Sequence, residues 1–321
     1  MKPARVLFAH LPTPIEEMPR LTASLGGPKI FCKRDDQTGL AFGGNKARKL
    51  EFLLAEAQAN GAKTLITVGA IQSNHCRQTA ALAAKFGFRC ILVLSGDPPR
   101  KENGNLLLDR LFGADIVWTN RQDLEITSRK VFQQSWEKGD RPYLIPLGGS
   151  TPIGALGFAE AMKELAQQNM DVNWIVVASS SGGTQAGMVL GARLCHWTGK
   201  ILGISIDHTA QILKKTVAQL ANGAAERIDS SFRFTPEEIL INDQYLGGGY
   251  AVAGAVEIEA IGIFAKKEGI VLDPVYTARA AGGMIDLIRE GFFGQDDRIL
   301  FWHTGGGPAI FADPYADLFN K

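Results

Sequence analysis

The segment Gly43-Gly44-Asn45-Lys46-Ala47-Arg48-Lys49 sets an amine at the start of a helix. Two glycines close an irregular stretch, and an apolar helical face of Leu50, Leu53, Leu54 and Ala57 begins at once. Asn45 is a favoured residue just ahead of a helix, so Lys46 falls in the first turn. The positive end of the helix dipole, with Arg48 and Lys49 close by, disfavours an ammonium there and lowers its pKa. A neutral lysine amine attacks carbonyls and forms Schiff bases with them. The same seven residues would equally serve as a solvated turn with a surface lysine.

Four other stretches carry polar groups at the junction of an apolar strand and a helix. Ser179-Ser180-Ser181-Gly182-Gly183-Thr184 has the small residues and helix start of an anion-binding loop. It lacks the Gly-Lys-Ser/Thr ending of a triphosphate loop and the three-glycine spacing of a dinucleotide fold, so it suits a single terminal phosphate. Gln72-Ser73-Asn74-His75 opens a helix and can either hold a carboxylate or cap the helix through Ser73 or Asn74. In Asp273-Pro274-Val275-Tyr276-Thr277, Asp273 or Thr277 can cap while Tyr276 offers a phenol. The glycines of His303-Thr304-Gly305-Gly306-Gly307 either admit a flat ring or only make a turn. A lysine plus a monophosphate loop is the minimum needed to hold pyridoxal 5'-phosphate.

The elements that must position these groups alternate regularly. Strands are expected at Lys29–Lys33, Thr64–Val68, Cys90–Leu94, Ile116–Trp118, Tyr143–Ile145, Trp174–Ala178, Ile201–Ile206 and Ile299–Trp302. Between them lie helices at about Asn74–Phe86, Asn103–Phe112, Asp123–Glu137, Ala155–Gln168, Thr184–His196, Val256–Glu268 and Thr277–Arg289. Continuous apolar strands alternating with helices mean parallel βαβ units and a three-layer α/β fold. The N-terminus reads as extended and broken by prolines, and Gln211–Tyr245 as two helices with no strand before Ile239. Ligands of such sheets bind at the carboxyl ends of strands, where the polar loops fall.

Bulk properties narrow the setting. A chain of 321 residues suffices for two domains, although composition marks no linker between them. A formal net charge of +1 offers no surface for nucleic acid and no polybasic membrane patch. No apolar run approaches the roughly 18 residues of a membrane span. The four cysteines, Cys32, Cys76, Cys90 and Cys195, have no metal-site spacing and read as reduced thiols of a cytoplasmic protein, with Cys76 closest to a polar motif.

Taken in order, Gly-Gly-Asn-Lys-x-Arg-Lys at 43–49, Gln-Ser-Asn-His at 72–75, Gly-Gly-Thr-x-Ala-Gly at 182–187, Leu-Asp-Pro-Val-Tyr-Thr at 272–277 and His-Thr-Gly-Gly at 303–306 resemble one family. It is the D-cysteine desulfhydrase / 1-aminocyclopropane-1-carboxylate deaminase family, of the tryptophan-synthase-β-like fold type II. The resemblance implies two open, mostly parallel sheet domains, a large one from residues 1–48 and 155–321 and a small one from 49–154, in a homodimer. It implies pyridoxal phosphate on Lys46, Asn45 and Lys49 beside it, and Ser181, Gly182, Gly183 and Thr184 around the phosphate. It further implies Asn74 on the cofactor's 3-oxygen, with Ser73 and the helix start reaching His75 on the carboxylate of a small amino-acid substrate. Tyr276 would stand near the substrate and the pyridine.

Within the family, ring-opening deaminases carry a glutamate after that tyrosine and a leucine in the last loop. Thr277 and Thr304 stand there instead, which resembles the desulfhydrases. A carboxylate at the pyridine nitrogen strengthens the electron sink, whereas a hydroxyl leaves the ring more nearly neutral, enough for expelling a thiol. The resemblance therefore implies α,β-elimination of D-cysteine, with Lys46 as base and Tyr276 or Tyr250 as acid. The family's Tyr-Gly-Val-Pro-Asn is replaced here by Tyr250-Ala251-Val252-Ala253-Gly254, a change in the substrate loop that also admits L-cysteate sulfo-lyase activity.

Overall fold

Two sheets carry the polar loops in the computed structural model, which describes residues 3–313 and 315–319. The chain enters through β1 (Ile15–Glu17), α1 (Pro19–Leu25) and β2 (Lys29–Arg34), then α2 (Lys46–Ala59). Four strands follow with their helices: β3 (Thr64–Ala70), α3 (Asn74–Phe86), β4 (Arg89–Ser95), α4 (Gly104–Leu111), β5 (Asp115–Thr119), α5 (Leu124–Glu137) and β6 (Pro142–Ile145). These strands form one parallel sheet in the order β5-β4-β3-β6.

The rest comprises α6 (Pro152–Gln167), β7 (Trp174–Ser179), α7 (Gly183–Leu194), β8 (Lys200–Ser205), α8 (Ala210–Arg227), β9 (Leu240–Asn242), α9 (Ala255–Glu268), α10 (Thr277–Arg289) and β10 (Arg298–His303). Its strands join β1 and β2 in a six-stranded sheet, β1-β2-β10-β7-β8-β9, parallel except where β1 meets β2.

Side-chain alternation explains the layers. Along β10, Ile299 and Phe301 face a core shared with α1, α9 and α10, whereas Leu300 and Trp302 face Phe158, Met162 and Met188 of α6 and α7. Strands buried on both faces must be apolar at every position, as these are. In the second sheet, Ile66, Val68, Ile91 and Val93 pack on Val131 of α5, and Leu65, Leu92 and Leu94 pack toward α2, α3 and α4. Helix α6 crosses α2 closely because Gly157 lacks a Cβ, which would lie 2.2 Å from the Arg48 carbonyl oxygen. That contact fixes the helix on which Lys46 stands.

The structure departs from expectation in two segments. The N-terminus contains the helix α1, with Pro19 at its first position and Gly26 in left-handed conformation at its end. Proline is compatible with the first helical turn, where its missing N–H has no intrahelical partner anyway. Between 211 and 245 one α-helix, α8, and a single 3-10 turn at Pro236–Glu238 stand where two helices were expected, ahead of the short edge strand β9. The four cysteines are free thiols, three of them buried, and Cys76 faces the core rather than the cavity described next. Among the described residues, no helix is long and apolar enough to cross a membrane.

Candidate active site

A cavity of about 130 Å³ lies at the carboxyl ends of the strands, bordered by Ala70 of β3, Ser179 of β7, Asp207 beyond β8 and Thr304 beyond β10. It offers roughly ten times the space that one water requires. Asn45, Lys46, Ser73, Asn74, His75, Ser181, Gly182, Thr184, Tyr250, Tyr276 and Thr304 line it, drawn from both sheets and from positions far apart in the chain. Lys49, Gly183 and Thr277 stand behind this lining.

Lys46 begins α2 and is half-buried against the cavity. Burial lowers its pKa to about 8, an effect opposed by the Asp273 carboxylate. The cause differs from the sequence expectation of helix dipole and neighbouring cations. Arg48 does not face Lys46; it is bound to Asp35 at 2.8 Å and Glu164 at 2.8 Å behind the helix. Asn45 likewise does not cap α2 with its side chain; its amide Nδ2 donates instead to Thr184 Oγ1 at 3.1 Å. Its backbone N–H donates to the Thr304 carbonyl at 2.9 Å, so three of the predicted loops meet at one residue.

The serine-rich loop turns into α7 through Gly182, whose φ of 78° is left-handed. Gly183 cannot carry a side chain, because a Cβ would come within 2.6 Å of Ser150 Oγ. Ser150 Oγ accepts from the Gly183 N–H at 3.2 Å and from Lys49 Nζ at 3.1 Å, and lies 2.7 Å from Ser181 Oγ. Lys49 Nζ also donates to the Gly148 carbonyl at 3.1 Å. Burial, then the neighbouring Lys46, pushes the Lys49 pKa well below its ordinary value. A fully buried amine next to the start of α7 suits this corner to an anion.

Opposite it, Ser73 caps α3 by accepting from the Cys76 N–H at 3.2 Å while bordering the cavity. His75 is buried, and its pKa is pushed far down by burial and by Lys46 and Lys49. Thr67 Oγ1 donates to the Ile145 carbonyl at 2.8 Å, so it must accept from His75 Nε2 at 2.9 Å. Nε2 therefore carries a proton, and Nδ1 has no protein partner.

On the remaining side, the hydroxyls of Tyr250 and Tyr276 lie 2.7 Å apart. Burial raises the Tyr250 pKa to about 12, while Tyr276 is pushed further up by burial and by Tyr250 itself. Either hydroxyl can donate in this bond, so the pair shares one hydrogen and leaves the other free. The Arg121 guanidinium sits 5.6 Å over the Tyr250 ring and also borders the cavity. Thr277 is turned away: its hydroxyl donates to Asp273 Oδ1 at 2.7 Å and accepts from the Asp273 N–H at 2.7 Å.

The residues fit pyridoxal phosphate. Ser179 Oγ and Asp207 Oδ1 are buried polar atoms of the cavity lining without a protein hydrogen bond, and such atoms are rare unless a ligand or water meets them. The amine of Lys46, the anion-selective corner at Ser181–Thr184 and the polar helix start at Ser73–Asn74 supply groups for an aldehyde, a phosphate and a carboxylate. Sequence reading did not single out Ser150, Asp207 or Arg121, whereas Ser179 opens the serine-rich stretch that it marked. Gly148-Gly149-Ser150 between β6 and α6 follows the same strand–loop–helix pattern as the loops it did find, and that signal was available.

Residues 6–305 match the family described as pyridoxal-phosphate dependent enzymes. The solved structure of an ACC deaminase homologue is 36% identical, with a TM-score of 0.91 over 99% of this chain and 95% of that one. A fungal L-serine ammonia-lyase from Rhizomucor miehei shares the fold at 16% identity and a TM-score of 0.70, over 98% of this chain and 99% of that one. Two mainly parallel sheets meeting at a lysine-bearing cavity are the fold type II arrangement. With the cofactor set by the family and the cavity fitted to it, this chain belongs to the pyridoxal-phosphate dependent enzymes.

Proposed function

We propose that the protein is a lyase that converts D-cysteine and water to pyruvate, hydrogen sulfide and ammonia. The observation carrying this reading is that Lys46, the Ser181–Thr184 loop, Ser73 and the Tyr250–Tyr276 pair border one cavity. Bound pyridoxal phosphate supplies a carbonyl for the Lys46 amine and a conjugated ring that spreads negative charge from the substrate Cα. Ser181, Gly182, Gly183 and Thr184 would hold its phosphate, with the Lys49 amine behind them, and Asn74 would meet its 3-oxygen. Asn45 ties the lysine loop to the phosphate loop.

Ser73 and the first N–H groups of α3 hold the substrate carboxylate and aim its Cα–H bond at Lys46. The Lys46 amine, whose proton is weakly held, takes the Cα proton. Tyr250 or Tyr276, both at the cavity, gives a proton to the departing sulfur: whichever hydroxyl accepts in the bond between them keeps its own hydrogen free for the substrate. The lack of the deaminases' glutamate and leucine at 277 and 304 supports elimination of a thiol over ring opening, although the Thr277 hydroxyl itself is engaged by Asp273. The homodimer, the cytoplasmic setting and the division into 1–48 with 155–321 and 49–154 accompany this reading.

A second reading, opening of the cyclopropane amino acid, is favoured by the 36% identity to an ACC deaminase homologue. Incubation of the loaded protein with D-cysteine, L-cysteine, L-cysteate and 1-aminocyclopropane-1-carboxylate decides between them. Pyruvate and sulfide from D-cysteine support the first reading. 2-Oxobutanoate from the cyclopropane substrate, without turnover of D-cysteine, supports the second, and sulfite from L-cysteate reassigns the leaving group.

A further inference from the structure

Asn105, at the start of α4, lies behind Asn74 and is fully buried. Its side-chain oxygen accepts from Arg77 Nη1 at 3.1 Å. Its Nδ2 donates to the Gln72 carbonyl at 2.8 Å and to Asn74 Oδ1 at 2.9 Å. Its backbone N–H donates to Gln72 Oε1 at 2.7 Å. Arg77, also fully buried, donates its Nη2 to the Gly43 carbonyl at 2.7 Å, three residues ahead of Lys46.

The donor and acceptor types leave one arrangement. A guanidinium has only donors, so the Asn105 atom facing Arg77 must be the oxygen. The opposite side of that amide is then its NH₂, which agrees with the backbone carbonyl of Gln72, an acceptor only. The Asn74 atom facing this NH₂ must in turn be Oδ1, which directs Asn74 Nδ2 to the other side, beside Gly306. Asn74 itself borders the cavity and is half-buried.

We propose that Asn105, locked by Arg77, is a positioning residue that makes Asn74 present a hydrogen-bond donor, and never its oxygen, to the oxygen substituent of the cofactor ring. The proposal rests on the placement of Asn74 given above. The same arginine holds the Gly43 carbonyl, so the lysine loop and the ring-facing amide are registered against one rigid cation.

The test replaces the amide by its isostere. In Asn105→Asp both side-chain oxygens accept, so Asn74 must turn its NH₂ inward and its oxygen toward the cofactor. Losing a hydrogen bond to a charged oxygen weakens cofactor affinity by about tenfold and moves the pH midpoint of the bound cofactor's visible absorption band upward by about one unit. Asn105→Ala, which frees Asn74 without reversing it, moves both in the same direction by less, and it serves as the test if Asn105→Asp does not fold. In an Asn74→Ala background, Asn105→Asp has no further effect on the band, an outcome that a merely structural role for Asn105 does not give. Parental midpoint and affinity in Asn105→Asp overturn the proposal, as does an equal shift in the Asn74→Ala background. A silent Asn74→Ala variant also overturns it, while leaving the lysine and phosphate assignments to the keto-acid assay and to mapping of Lys46.

Discussion

Asn45 Nδ2 donates to Thr184 Oγ1 at 3.1 Å across 139 positions of sequence. This bond joins the loop that ends in Lys46 to the loop that begins α7, the two groups expected to grip opposite ends of the cofactor. Its removal in Asn45→Ala leaves both loops folded but no longer registered. The expected outcome is a cofactor dissociation constant about fivefold higher, the value of one neutral hydrogen bond. Equilibrium dialysis of the two proteins checks it.

Burial gives Lys46 a pKa of about 8 when no cofactor is joined to it. Only the neutral amine attacks a carbonyl, so the rate at which cofactor-free protein takes up pyridoxal phosphate rises with pH through about 8 and levels off above it. Stopped-flow absorbance across pH 6 to about 10 measures this. A pH-independent rate over that range contradicts the assignment.

Behind the site, Glu164 accepts from Arg48 and Lys33, and these cations hold its pKa at about 2 against the raising effect of burial. A carboxylate whose folded pKa is depressed stabilises the fold above its unfolded pKa, and this contribution is lost as pH falls through the folded value. Stability should therefore decline between about pH 4.5 and 2, and Glu164→Gln should flatten that decline in urea titrations. Arg48→Met leaves Asp35 and Glu164 facing each other without their shared cation. It should cost about 3–5 kcal/mol by the same measurement.

Ser150 was not anticipated, yet it joins Lys49, Gly183 and Ser181 through one hydroxyl. Ser150→Ala leaves Lys49 with the Gly148 carbonyl and the Gly183 N–H with no side-chain acceptor. Retention of inorganic phosphate and of pyridoxal phosphate should both weaken, by about fivefold to tenfold. Retention of pyridoxal itself, which has no phosphate, should be unchanged. Titration with the three ligands separates these outcomes.

What the sequence made legible follows from how local each signal is. The continuous apolar runs of β3, β4, β7 and β10 announced buried parallel strands, and the glycines and serines at their ends announced the loops. The α1 helix was hidden because Pro19 reads as a breaker until its place in the first turn is known. Local reading gave Lys46 a lowered pKa for a reason that holds only in part: Lys46 and Lys49 do repel each other, but Arg48 points to Asp35, and burial is the largest cause. Asn45 had the composition of a cap, and tertiary structure spent its amide on Thr184. Thr277 was expected at the cofactor, yet its hydroxyl is engaged by Asp273 four residues earlier. Asp207 and Arg121 required the two sheets to be brought together before their positions meant anything, whereas Ser150 sits in a strand–loop–helix junction that was legible but not marked.

The central claim is that one amine, that of Lys46, carries the cofactor. Borohydride reduction of the loaded protein, followed by proteolysis and mass spectrometry, tests it most directly. The pyridoxyl phosphate mass is expected on Lys46 alone, with no label there or elsewhere in Lys46→Ala. Label on Lys49 or another lysine, or an unlabelled Lys46 in protein that turns over D-cysteine, would contradict it.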